Sequence, residues 1–192
     1  KWNSTPNGFE TGDVGGSLVL LATETASSSA TITFDSNIDS TYKEYIFKFF
    51  NIHPQTDNKD FGVQFRDGST AYDTTITTSY FHSVHDEADT STSLAYITGH
   101  DEAQTTDPAL LSEGISSDAD HGSSGYVHLF DPSSTTFVKH FICRSNGTRH
   151  GNQTSDVFVA GYCNVTAAID GVQFKMSSGN IDDGVIKMYG VS

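Results

Sequence analysis

The sequence has little positive charge. Ten lysines and arginines stand against twenty-four aspartates and glutamates, a formal net charge of −14 over 192 residues. Such a chain repels DNA and anionic membranes, which excludes non-specific nucleic-acid binding. The excess acid suits either a solvated surface that keeps a protein soluble in salty surroundings or metal sites built from carboxylates. Long apolar runs are also missing: nothing approaches the ~20 consecutive apolar residues of a membrane span. The run Leu18 to Ala22 is too short for a signal peptide and lacks its basic flank. No Gly-x-Ser-x-Gly elbow, phosphate loop or cysteine-rich zinc pattern occurs, and the expectation is a protein without enzymatic activity. The only cysteines are Cys143 and Cys163. If residues 136–143 and 157–163 are adjacent antiparallel strands, the two are offset by about six residues, roughly 20 Å at ~3.3 Å per residue. A disulfide needs Cα atoms within about 7 Å, so they are expected as separate buried thiols.

What the chain does have is Ser, Thr, Gly and Asp around thirteen Phe and eight Tyr. β-Branched and aromatic residues fit a pleated, half-buried surface, and the length suits one domain with a full core. Residues 1–16 carry Pro6 and glycines without alternation, and begin without Met. They read as an extended arm, or the trailing end of something removed, with Trp2, Pro6 and Phe9 as its assembly contacts. Residues 17–192 read as a single β-sandwich domain.

Alternating strand signals recur from Ser17 onward. They cover Leu18–Thr23, Ala30–Phe34, Tyr42–His53, Phe61–Phe65 and Ile76–Val84. Tyr42–His53 is apolar on both faces and reads as a central strand covered on both sides. From His85 to about Ser124 the chain reads as a long acidic loop, with a short strand at Leu94–Thr98 and one turn of helix at Pro108–Leu111. A span of that length without regular structure is often functional. A hairpin follows, Gly125–Phe130 and Thr136–Cys143 around an Asp131-Pro132 turn. Val157–Cys163 is a further strand, and Val172–Met176 with Val185–Val191 reads as a closing hairpin. The expected fold is all-β, an antiparallel β-sandwich of jelly-roll type with about ten strands and little helix.

Eight histidines supply candidate ligands, and His82 and His85 with Asp86 and Glu87 form the densest cluster, from which His82, His85 and Asp86, with the nearby Asp89, are the metal candidates. On a strand His82 and His85 point to opposite sides, so a zinc site there requires the chain to turn at Val84. His128 and His140 flank the Asp131 turn. If Phe130 pairs with Thr136, His128 faces Val138 with His140 as its diagonal neighbour. The cofactor expectation is none, although calcium accepts irregular loop oxygens and the loop carboxylates admit a structural ion. Loop aromatics stack on sugar rings, and Tyr72 and Tyr96 are the glycan-binding candidates beside Trp2. Tyr126, on a strand, reads as core or interface. The Asn-x-Ser/Thr triplets at Asn3, Asn146, Asn152 and Asn164 read as chance matches in a Ser/Thr-rich chain.

Three segments carry a resemblance: Ser40–Pro54 (STYKEYIFKFFNIHP), His128–Phe141 (HLFDPSSTTFVKHF) and Met176–Val191 (MSSGNIDDGVIKMYGV). They resemble a family of virion structural proteins of tailed phages, especially marine ones. In that family a Ser-Thr-Tyr entry precedes the first long core strand, here Ser40-Thr41-Tyr42. Ser-Gly-Asn-Ile, here Ser178 to Ile181, leads into a final strand ending in Tyr-Gly, here Tyr189-Gly190. The resemblance implies a β-sandwich on the virion surface, made in the bacterial host cytoplasm: a tail fibre, a tail appendage or a capsid decoration. It implies partners among copies of itself, with a trimer expected by analogy, and other virion proteins. The alternative is a receptor-recognition module contacting host surface glycan through the His85–Ser124 region. Neither nucleic acid nor membrane insertion is expected.

Overall fold

The computed structural model describes residues 17–192, and every regular element among them is a strand. The assembly arm residues Trp2, Pro6 and Phe9 lie outside the described residues. Thirteen antiparallel strands form a flattened, nearly closed β-sandwich. The large sheet holds, in order, β1 (Leu18–Thr25), β13 (Ile181–Val191), β3 (Glu44–Pro54), β9 (Ser123–Phe130), β10 (Lys139–Arg149), β11 (Gln153–Cys163) and β5 (Ile76–Asp86). Two short strands, β6 (Thr92–Tyr96) and β7 (Ala103–Thr105), share the free edge of β5. The small sheet holds β8 (Ala109–Ile115), β4 (Lys59–Arg66), β12 (Gly171–Met176) and β2 (Ile32–Phe34). The sheets meet where Arg149 pairs with Ile115, and again at the bridge between Ser29 and Ile181.

Period-2 alternation sends Tyr45, Phe47 and Phe49 of β3, Phe141 of β10 and Tyr80 of β5 inward, all fully buried. Phe61 and Phe65 of β4 and Phe174 of β12 meet them from the small sheet. Rings from opposite sheets contact directly: Phe47 with Phe174 at 5.7 Å between centroids, Phe49 with Phe61 at 5.3 Å, and Phe65 with Phe141 at 5.0 Å. Such pairs add roughly 0.5–1.5 kcal/mol each beyond the area they bury. The two thiols are separate and buried, with Cys143 opposite Val159 and Cys163 opposite Lys139.

Several expectations need correction. The final two strands are not a hairpin: β12 pairs with β4 and β2 in the small sheet, and β13 with β3 and β1 in the large one. Residues 177–180 are an arch that carries the chain across the sandwich. Gly179 takes its left-handed turn at φ +73°, and Asn180 donates its side-chain amide to Ser28 O at 2.9 Å. The stretch Pro108–Leu111 is not helical but leads into β8, and the 85–124 region is folded into β6, β7 and β8. The β9–β10 register places His128 opposite Ile142 rather than Val138 because the turn is longer than expected. His140, two residues from Ile142, remains the diagonal neighbour of His128. Strand β3 is central, but among the described residues no further layer covers its outer face: Phe50 is exposed there, and only Ile46 is buried.

Candidate functional site

The His82 cluster does not assemble. Strand β5 runs straight through Val84, so His82 enters the interior while His85 faces out, 3.2 Å from Asp89. Asp86 is occupied in the β5–β6 turn, accepting from Thr90 N at 2.8 Å, from Ser91 N at 2.9 Å and from the Thr90 hydroxyl. Those bonds, the Thr90 hydroxyl first, hold its carboxyl below the usual carboxylate range. Among the described residues no three His, Cys, Asp or Glu side chains gather closely enough to hold a metal ion.

His82 instead belongs to a buried polar centre around Glu113 of β8, itself 2 % exposed. Glu113 Oε1 takes His82 Nδ1, the Ser155 hydroxyl at 3.2 Å and, at 3.4 Å, Arg149 Nη1. His100 Nδ1 lies 3.2 Å from Oε2 without hydrogen-bond alignment, its ring against Tyr80 at 5.0 Å. Burial, then the Glu113 charge, raises the Tyr80 phenol. A carboxylate only accepts, so His82 carries a proton on Nδ1. Serine and imidazole both bond to the acid and not to each other, which is the wrong order for activating a hydroxyl nucleophile. The centre ties β5, β8, β10, β11 and the His100 loop into one unit.

The outer face of the large sheet has a different character. Among the described residues the exposed large hydrophobic side chains are Leu18, Leu20, Phe50, Phe81, Leu94, Tyr96, Ile142 and Phe137. By strand alternation all of them except Phe137 lie on this one face. One cross-strand row reads Tyr96, Phe81, Phe158, Arg144, Tyr126, Lys48, each opposite the next. The Phe81 and Phe158 rings stack at 4.8 Å and 2°. The Arg144 guanidinium sits 4.7 Å above Phe158, held by Asp156 at 2.9 and 3.1 Å. Beside them Glu44 bonds His128, whose ring meets Tyr126 edge-on at 4.9 Å. Within the row, Phe158 is held between the Phe81 ring and the Arg144 guanidinium. A depression of about 360 Å³ follows it, lined by Phe81, Tyr126, Ile142, Arg144 and Phe158.

At one end of the same sheet two irregularities open a polar groove of about 730 Å³. One is in β3 between Phe49 and Ile52, where Asn51 has φ +51°; the other is in β13 around Asp183 and Gly184. The groove is lined by Asn51, His53, Asp120, His121, Asp182 and Asp183, among others.

Of the glycan candidates, Tyr72 lies under the Arg66 guanidinium at 5.5 Å, and Arg66 is itself fixed by Asp170 at 2.8 Å. Tyr96 is exposed and donates its hydroxyl to Asp101 at 2.6 Å. It stands at the end of the outer-face row, so the structure joins it to Phe81 and Phe158 and not to Tyr72. The Glu113 centre was invisible to sequence reasoning because its members lie far apart in the chain. The outer row could have been found from the alternation of β5, in which Phe81 breaks a series of Thr and Ser. Compared with known proteins, the chain matches no family model, no curated protein and no solved structure.

Proposed function

We propose that this chain is a non-enzymatic structural protein of the tailed-phage virion surface, a tail fibre, tail appendage or capsid decoration, which assembles through the outer face of its large sheet. The observation that carries this reading is the segregation of exposed apolar side chains onto one face that no other described residue covers. Scattered exposed hydrophobics are ordinary, but Phe81, Leu94 and Tyr96 adjoin one another on β5 and β6 beside Phe158, and a local apolar patch rimmed by polar groups marks an interaction surface. Aromatic residues and arginine are also the types that anchor interfaces, and Phe81, Phe158 and Arg144 are already packed on one another, which lowers the entropic cost of docking. The resemblance in three segments supports placement on the particle. Copies of the same chain are the favoured occupant, and the N-terminal arm is a second contact in the proposal.

The test is an antiserum raised against the purified protein and applied to intact particles of a tailed phage that encodes the chain. Gold labelling at one fixed position on the particle is the expected result. Particles that carry no label, and no peptide of the chain in their mass spectrum, would overturn the proposal.

Glycan recognition is the second reading. Tyr72 and Tyr96 do not converge on one site, and the polar groove is the feature that favours it.

A further inference from the structure

We infer that the groove between the bulges of β3 and β13 binds a neutral sugar residue. The inference depends on the virion reading only for the source of the sugar, a host surface polysaccharide; the chemistry of the groove stands without it.

The volume, about 730 Å³, lies inside the roughly 300–1,000 Å³ typical of ligand sites. It exists because both strands bulge there, and bulges commonly re-aim side chains beside functional sites. On β3 the bulge follows Phe50, putting Asn51 at φ +51°. On β13 it falls at Asp183 and Gly184, with Asp183 Oδ1 accepting from Gly184 N at 2.7 Å. Asp182 Oδ1 accepts from the Ser28 hydroxyl at 2.5 Å. Within the described residues the second oxygen of each carboxylate accepts nothing, and Asp120 forms no hydrogen bond. His53 is fixed through Nδ1 to the His121 carbonyl at 2.9 Å, leaving Nε2 for a ligand. Within the described residues His121 Nδ1 is buried without a hydrogen-bond partner, 3.7 Å from Asp118 Oδ2, and its Nε2 lies 3.9 Å from Asp120 Oδ1, which sets the ring beside the groove carboxylate.

The ligand class follows by elimination. Among the described residues no Lys or Arg lines the groove, and Asp120, Asp182 and Asp183 do, so an anion is repelled. A cation needs its ligands converged, yet no three such side chains gather anywhere among the described residues. Carboxylates and an amide spread around a groove instead match a ligand that presents several hydroxyl groups in different directions, each donating to one acceptor. A neutral sugar ring is that ligand.

The experiment is saturation-transfer NMR on the full chain in EDTA, using the methyl glycosides of glucose, galactose, mannose and N-acetylglucosamine, with glucuronate as the anionic comparison. At least one neutral glycoside is expected to bind saturably and more tightly than glucuronate. Asp120→Ala, at a side chain 91 % exposed, is expected to retain the wild-type melting temperature and to weaken binding about tenfold, the loss of one charge-assisted hydrogen bond. Asp183→Asn is the second variant, with its fold checked by the same melt. Phe81→Asp on the outer face is expected to leave sugar binding intact. No binding by any neutral glycoside, preference for glucuronate, a signal that requires calcium, or full binding by both groove variants would each overturn the inference. Sugar binding that persists in a Phe81→Asp protein unable to assemble separates this site from the assembly face, and its absence in a protein that assembles normally rejects the groove alone.

Discussion

Removing the Glu113 carboxylate should destabilise the whole sandwich rather than one strand. Its Oε1 takes His82, Ser155 and Arg149, drawn from β5, β11 and β10, and the residue itself is 2 % exposed. Glu113→Ala leaves Arg149, 27 % exposed at its side chain, without its acid partner and strands the His82 N–H and Ser155 hydroxyl in the interior. Breaking a buried ion pair from one side costs about 3–5 kcal/mol. With roughly 2–4 °C of melting temperature per kcal/mol in a domain of this size, the midpoint should fall by roughly 6–20 °C. Glu113→Gln keeps the shape and one acceptor oxygen, and should lose about 1.5–3 kcal/mol, the worth of a hydrogen bond to a charged group. Urea unfolding followed by circular dichroism gives both values. Hydrogen exchange should show the loss spread over β5, β8, β10 and β11. An alanine variant within about 0.5 kcal/mol of wild type, the range of ordinary surface substitutions, would refute the reasoning by showing that these groups find water when the acid is gone.

Further predictions concern the interior and the arch. Burial raises the Cys143 thiol and pushes Cys163 from 9.0 up to about 12, so neither should react with a thiol reagent at pH 8 until the protein unfolds, and rapid labelling of the native state would contradict their burial. A group whose pKa is raised by folding stabilises fully below its unfolded value and loses that contribution as pH rises through the folded one. Stability should therefore decline from pH 9.0 toward about 12, with a shallower slope in Cys163→Ala; an equal slope in the variant would remove the thiol from the explanation. Gly179→Ala forces a side chain into φ +73° with its Cβ 2.7 Å from Thr56 Oγ1, and should cost about 1–2 kcal/mol in chemical denaturation; a neutral effect would show that the arch relaxes.

The fold class was legible because one period dominated. In β5 and β10 the inward side chains alternate with polar or exposed ones, and a period-2 pattern has one reading. Strand β8 hid because Ser112 and Glu113 are buried for polar reasons and Gly114, at φ +53°, breaks the alternation. The arch hid for a topological reason. A hairpin and a crossing between sheets share the same strand–turn–strand sequence, and only the distant partners β3 and β4 distinguish them. Site residues were least legible. His82 was singled out for its neighbour His85, but its partner is Glu113, thirty-one residues away in the chain. Asn51 and Asp183 reach one groove only because two bulges, invisible as composition, bend their strands toward it.

The central claim is that the uncovered face of the large sheet is an assembly surface. Multi-angle light scattering of the full chain across a concentration series tests it most directly, comparing wild type with Phe81→Asp/Phe158→Asp. The account predicts an oligomer, a trimer by analogy, that falls to monomer in the double variant while the far-ultraviolet spectrum stays the same. A wild-type monomer at every concentration, or an oligomer that survives both aspartates, would contradict it.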